Sequence, residues 1–217
     1  MPDFGTCPIV YDDVSAIVSS PCQTFRRSTG VLLCRSWAHA ELCSRKFYKV
    51  LADNMASAGF PTLRFDYPGT VDSGDPPTDG GLEDWVSAAD RGADVLRDLG
   101  CDTIVVFGFC FGSIIAHDLL QRRNDVSGAI FAAPVVNGRR YIREINIREK
   151  VLFETERIPL ERLDTSRTSL LGNVMPEQLV KDVSATKLDA PEILADVPVL
   201  LFSRENTKGD LDFSEKL

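Results

Sequence analysis

Apolar positions along the chain follow two different periods. Short apolar runs at residues 30–34, 62–66, 103–108, 126–132 and 197–202 are each bounded by turn formers, a pattern that predicts buried strands. Between them apolar residues recur three and four apart. Phe47, Val50, Leu51 and Met55 predict one helical face over residues 44–58, and Leu82, Trp85, Val86, Ala89, Ala93 and Leu96 predict a second. Gly59 and Gly100 supply the stops. A third helix is expected after Phe111 and through Leu120. Residues 8–20 have room for one or two edge strands. Strand and helix in alternation predict an α/β fold, a mainly parallel sheet covered by helices on both faces.

The alternation lapses from residue 137 to 191, where charge rises and short helices are expected. This stretch reads as a lid inserted into one domain that spans residues 1–217. A polar tail, residues 203–217, follows the last strand.

Charge narrows the partners. With a formal net charge of -8, the chain repels phosphate backbones and anionic lipid heads, so nucleic acid is not expected as a partner. No apolar stretch reaches the roughly 20 residues that span a bilayer. The first residues carry acids early and lack a basic segment followed by an apolar one, so no signal peptide and a cytoplasmic location are expected. The six cysteines are irregularly spaced, which favours reduced thiols over a disulfide framework. With two histidines and no closely spaced cysteine pair, neither a metal nor another cofactor is expected.

The chemistry centres on Gly108-Phe109-Cys110-Phe111-Gly112, placed between a predicted strand and a predicted helix. It fits the nucleophile-elbow pattern G-x-S-x-G with cysteine in place of serine. A sharp turn there projects the nucleophile, and Gly108 and Gly112 let strand and helix approach without Cβ clashes. The helix N-terminus favours a thiolate. The plainer alternative is a glycine-flanked core cysteine. An acyl-transfer site also needs oxyanion donors. The backbone N–H groups of Phe111 and of Trp37, in the turn after residues 30–34, are the candidates; Trp37 also reads as a packing aromatic. Ser36, beside Trp37, is a candidate substrate contact.

With these residues in place, residues 30–202 resemble the α/β-hydrolase superfamily. Residues 58–75, Ala-Gly-Phe-Pro-Thr-Leu-Arg-Phe-Asp-Tyr-Pro-Gly-Thr-Val-Asp-Ser-Gly-Asp, are similar to a passage that serine-aminopeptidase-like and acyl-ester hydrolases carry before the elbow. Residues 133–144 resemble a branch found beside bacterial exopolysaccharide systems, and the elbow cysteine resembles that of dienelactone hydrolase. The resemblance implies an eight-stranded sheet and a nucleophile–His–acid triad. The family's acid follows the strand matched by residues 197–202. No aspartate stands at the expected place there, and Glu205, Asp210 and Asp212 are the substitutes nearby. No histidine follows His117, so the last strand, last helix and usual base of the family have no counterpart. His39, in the loop expected to face the elbow, is the candidate base; its alternative is an exposed loop histidine. His117 lies about 10 Å along the elbow helix from Cys110 and is expected to be a packing or surface residue.

Two charged clusters remain. Asp66, Asp72 and Asp75 suit turns through side-chain to backbone hydrogen bonds. Arg139, Arg140 and Arg143 open the presumed lid, where Arg139 is a candidate for a substrate carboxylate or phosphate; Glu144 and Glu149 are expected to offset them. Two functions fit: an ester or thioester hydrolase or acyltransferase acting on a small-molecule acyl substrate through a cysteine acyl-enzyme, or a catalytically impaired binding or scaffold protein on the same fold. A nucleotide-binding alternative lacks the G-x-G-x-x-G after its first strand. A sheet without its last strand also exposes an edge, through which a homo-oligomer is expected.

Overall fold

The chain opens with a hairpin of β1 (Phe4–Tyr11) and β2 (Val14–Pro21), whose turn residues Asp12 and Asp13 take φ of 45° and 61°. Aspartate tolerates this left-handed region better than most residues. The structure, a computed structural model, describes residues 4–76, 78–188, 197–205, 207, 210 and 213–215. After the hairpin come β3 (Thr29–Cys34), α1 (Ala38–Ser57), β4 (Thr62–Phe65), α2 (Leu82–Asp98), β5 (Thr103–Phe109), α3 (Gly112–Arg122) and β6 (Val126–Ala132). Then follow α4 (Gly138–Thr155), a two-residue-strand hairpin of β7 (Ser169–Leu170) and β8 (Asn173–Val174), α5 (Glu177–Ala185) and β9 (Val199–Phe202).

The main sheet has the order β1-β2-β4-β3-β5-β6-β9. From β4 to β9 every neighbouring pair is parallel, and the β1–β2 hairpin joins antiparallel through β2. This is the predicted α/β architecture, with seven strands among the described residues where the resemblance implied eight. The order places the C-terminal ends of β3, β5 and β6 side by side, the crevice where open α/β sheets gather their sites. No helix among the described residues is long and apolar enough to cross a membrane.

One sheet face is buried under α2 and α3. Leu32, Leu63, Trp85, Leu96, Ile104, Phe111, Ile114 and Phe131 are all fully buried. Each such side chain contributes about 1.5–3 kcal/mol through burial. Tyr67 lies flat on Trp85, with centroids 4.4 Å apart, beneath the mouth of the crevice.

The other face departs from expectation. Helix α1 begins six residues before the predicted start at residue 44, so the polar turn after β3 is short. Its buried stripe runs through Ala38, Glu41, Ser44, Tyr48, Ala52 and Ala56, not through the predicted Phe47 and Val50. Phe47 is 50% exposed; with Leu51 it forms one wall of an open apolar groove of about 710 Å³ over Val105, Phe107, Leu200 and Phe202. Periodicity located apolar stripes on this helix, but which one is buried is decided by how the helix lies on the sheet, with Tyr48 edge-on to Phe107 of β5 at 5.9 Å.

The segment after β6 holds one 18-residue helix, α4, where short helices were expected. The Asn137 side chain caps it, accepting from the Arg140 N–H at 3.0 Å. At Gly138 an added Cβ would come within 1.7 Å of the Val183 carbonyl oxygen, so only glycine lets α4 and α5 cross this closely. The Leu82 N–H donates to Asp182 Oδ2 at 2.9 Å, tying α5 to α2. Glu149 is buried and accepts from the Leu171 N–H at 3.0 Å. It therefore serves the small hairpin and does not offset the arginines, contrary to expectation. The segment after β9, read as a polar tail, buries Asp210 and Phe213 completely, with Phe213 edge-on to Phe131 at 5.9 Å.

Candidate active site

Cys110 follows the end of β5 with φ of 50°. For a non-glycine residue this left-handed backbone costs about 1–3 kcal/mol and persists only where the surroundings impose it. Here the Cys110 N–H donates to the Ala132 carbonyl at 2.9 Å. The Cys110 carbonyl accepts from the Ser113 N–H at 3.0 Å and from the Ser113 hydroxyl at 2.6 Å. That hydroxyl in turn accepts from the Val135 N–H at 2.9 Å. Ser113, fully buried, thus latches the elbow to the β6–α4 loop. Sequence reasoning missed it, although it stands three residues after the nucleophile.

The flanking glycines are required by backbone contacts. A Cβ at Gly108 would lie 2.6 Å from the Ser113 Cα, and one at Gly112 would lie 2.0 Å from the Cys34 carbonyl oxygen and 2.6 Å from that of Arg35. The loop after β3 therefore packs directly on the N-terminus of α3. Register agrees, since Cys34 pairs with Gly108.

That loop is fixed from several sides. The Tyr48 hydroxyl donates to the Cys34 carbonyl at 3.0 Å and the Tyr67 hydroxyl to that of Arg35 at 2.9 Å. The Arg35 guanidinium pairs with Glu41 and with Asp66. Asp66 is thus an anchor for the loop as well as a turn residue; burial raises its carboxyl pKa, and Arg35 opposes the rise. Trp37 is buried at the N-cap of α1, followed by Ala38 at φ 50°. Phe111, fully buried, packs its ring between Trp85 at 5.1 Å and Tyr141 at 5.9 Å.

The Cys110 side chain is partly buried, and burial raises its pKa above the usual thiol value. The Ser36 hydroxyl, the Phe111 N–H and the charges of Arg204 and Arg148 act in the opposite direction without overcoming it. Burial thus works against the thiolate that the helix N-terminus and these neighbours favour. Ser36 is buried, and its hydroxyl makes no hydrogen bond of ordinary geometry among the described residues.

Cys110 opens into a cavity of about 580 Å³. Residues of the β6–α4 loop, α4, Lys187 and the segment after β9 form its walls. Arg139, the candidate substrate contact, lines it; Arg148, about two and a half turns further along α4, and Lys187 and Arg204, distant in sequence, line it too and were not singled out from the sequence.

Of the proposed base and acids among the described residues, Asp210 alone lines the cavity. His39 is exposed on the first turn of α1, its Nε2 3.4 Å from Cys43 Sγ, and it does not line the cavity. The early start of α1 turns it outward. His117 is buried within α3. Glu205 is exposed and outside the cavity lining. Asp210 does line it, but its carboxylate is occupied by Arg204: Nε donates to Oδ2 at 3.1 Å and Nη2 to Oδ1 at 2.7 Å. Asp210 therefore positions a cation and not an imidazole. Asp212 lies outside the described residues.

The arrangement matches known proteins at the level of fold. A hypothetical protein from Pseudomonas aeruginosa superposes with a TM-score of 0.69 at 15% identity, covering 99% of this chain and 82% of its own. Est1E from Butyrivibrio proteoclasticus gives 0.64 at 16% identity, with 98% and 84% covered. A thermostable carboxyl esterase from Bacillus coagulans gives 0.62 at 14% identity, with 99% and 86% covered. No curated protein matches the chain. Residues 30–157, from β3 through α4, match the family model described as alpha/beta hydrolase fold, and with the elbow geometry at Cys110 this makes the chain a member of the α/β-hydrolase fold family.

Proposed function

We propose that the chain is an ester or thioester hydrolase or acyltransferase that works through a Cys110 acyl-enzyme. The observation that carries the reading is the strained φ of 50° at Cys110, which lines a cavity, while the loop after β3 packs on the N-terminus of α3. Strain of this kind is retained where it serves a site.

In this reading the Cys110 thiol loses its proton to solvent, and the thiolate attacks the substrate carbonyl carbon to form a C–S bond. The carbonyl π electrons move onto oxygen, where the N–H groups of Phe111 and Trp37 stabilise the charge. Collapse breaks the bond to the leaving alkoxide or thiolate, which takes a proton from water. Water or an acceptor hydroxyl then attacks the thioester, and Cys110 leaves as thiolate. The α4–α5 segment, residues 137–188, acts as the lid that shapes the substrate. The unpaired edge of β9 supports a second copy of the chain as partner.

A second reading, a binding protein on a catalytically impaired hydrolase fold, is favoured by one observation: neither histidine lines the cavity. Intact-mass spectrometry after incubation with p-nitrophenyl acetate separates the two. Wild type is expected to gain one acetyl group that Cys110→Ala does not, and slow loss of the label is expected without a histidine base. Equal labelling of both proteins, or of neither, would leave the binding reading.

A further inference from the structure

The cavity at Cys110 is cationic in an acidic protein. Its lining carries Arg139, Arg140, Arg143, Arg148, Lys187 and Arg204 against the carboxylates of Glu144 and Asp210 alone, while the whole chain has a formal net charge of -8. Both carboxylates are engaged. Arg140 pairs with Glu144 at 2.8 Å and Arg204 with Asp210 at 2.7 Å. Arg139, Arg143, Arg148 and Lys187 have no carboxylate partner among the described residues. Elsewhere the chain has acids enough to give single arginines several partners: Arg122 meets Glu83 and Asp118, and Arg123 meets Asp90, Asp94 and Asp125, although Arg26, Arg27, Arg64, Arg157 and Arg162 are scattered arginines that also lack a carboxylate partner among the described residues. A shortage of acids therefore does not explain the four unpaired cations. Like charges gathered around a concave wall repel one another, and a bound anion relieves that repulsion.

We propose that this cavity takes an acyl substrate bearing its own anionic group, a carboxylate or a phosphate, held by Arg139, Arg143 and Arg148 while the carbonyl lies at Cys110. The inference rests on the acyl-enzyme reading for the placement of the carbonyl. The planar guanidinium fork suits both anions, since each presents paired oxygens to paired N–H donors. Lys187, whose backbone bridges to Asn137 at the start of α4, adds a point charge. An extended polyanion such as nucleic acid does not fit a cavity of about 580 Å³ on a chain this acidic.

The test compares alkylation of Cys110 by iodoacetate, an anion, with alkylation by neutral iodoacetamide, in the full chain, with free cysteine as the reference thiol. Both reagents attack the same thiolate, so their ratio cancels any difference in thiolate fraction. The iodoacetate-to-iodoacetamide ratio is expected to exceed that of free cysteine by about tenfold, the lower end of what a charged cleft achieves. It is expected to fall towards the free-cysteine value in high salt and in the triple variant Arg139→Gln, Arg143→Gln, Arg148→Gln. All three side chains are on the exposed side of α4, so the variant is expected to fold, which circular dichroism checks. A wild-type ratio equal to that of free cysteine overturns the anion site while leaving the nucleophile intact. If neither reagent reaches Cys110, the acyl-enzyme reading fails on its own, and the anion site is judged by calorimetric titration with succinate and with inorganic phosphate. Binding that weakens about tenfold in the triple variant then supports the site, and no binding of either overturns it. Which of the two anions protects Cys110 better identifies the group on the substrate.

Discussion

The guanidinium of Arg204 holds the fully buried carboxylate of Asp210 through Nε at 3.1 Å and Nη2 at 2.7 Å, and the Arg204 backbone N–H adds a third bond at 2.8 Å. The pair stands beside Cys110, where the family resemblance implied an acid and a histidine, and its positive charge lowers the thiol pKa. Arg204→Met would leave Asp210 buried and uncompensated. Since Arg204 is itself half exposed, the expected loss of unfolding free energy is about 2–3 kcal/mol in urea titration. The same variant should move Cys110 alkylation to higher pH. An unchanged profile would mean that the arginine has no electrostatic role at the thiol.

The elbow glycines give a steric prediction. Gly112→Ala drives a Cβ to 2.0 Å from the Cys34 carbonyl oxygen, and Gly108→Ala drives one to 2.6 Å from the Ser113 Cα. Backbone cannot yield as a side chain does, so each is expected to cost about 3 kcal/mol. Gly5→Ala meets nothing within 4 Å and should change stability by less than about 0.5 kcal/mol. Thermal melts of the three variants test this, and a Gly112→Ala protein as stable as Gly5→Ala would refute the packing described.

Cys110 reactivity is expected to depend on pH with a midpoint above that of free cysteine, because burial raises the thiol pKa. Ser36→Ala removes an opposing hydroxyl and should move the midpoint further up. Iodoacetamide labelling followed by mass spectrometry across neutral to alkaline pH measures both. A midpoint at or below that of free cysteine would show that the helix N-terminus and the neighbouring cations outweigh burial.

Alkaline stability follows from the tyrosines. Burial raises the phenol pKa of Tyr11, Tyr48, Tyr67 and Tyr141 above the ordinary value. The unfolded chain therefore releases these protons at lower pH than the folded one. Their contribution is complete below the ordinary phenol pKa of about 10 and is lost as pH rises from there towards the folded-state values. The urea midpoint should fall steeply above about pH 9.5, and less steeply in Tyr67→Phe. A midpoint insensitive to alkaline pH would contradict the burial of these hydroxyls.

Among the described residues no strand pairs with the outer edge of β9, and the apolar face beside it is uncovered, with Leu200 51% and Phe202 56% exposed. Self-association that grows with concentration is expected in sedimentation velocity, and Phe202→Lys should weaken it. A wild-type protein that stays monomeric across the micromolar range would remove the second copy as a partner.

The elbow was legible in the sequence because its determinants are local. Gly108, Cys110 and Gly112 sit within one turn; the contact that requires Gly108 is local, with Ser113, whereas the one that requires Gly112 comes from the Cys34 and Arg35 carbonyls of the loop after β3, which the motif marks without showing. The parallel strands were legible for a related reason: burial on both faces writes an apolar run. Other features were settled only by the tertiary structure. Helix α1 carries more than one stripe a sheet could accept, and the one through Tyr48 is buried while His39 is left exposed. The cavity joins Arg139, Arg148, Lys187 and Arg204 across some sixty residues of sequence, a gathering no local period encodes. Burial opposes the expected thiolate at Cys110, and only the tertiary structure shows this, since desolvation depends on everything packed around the sulfur and the sequence specifies only its nearest neighbours.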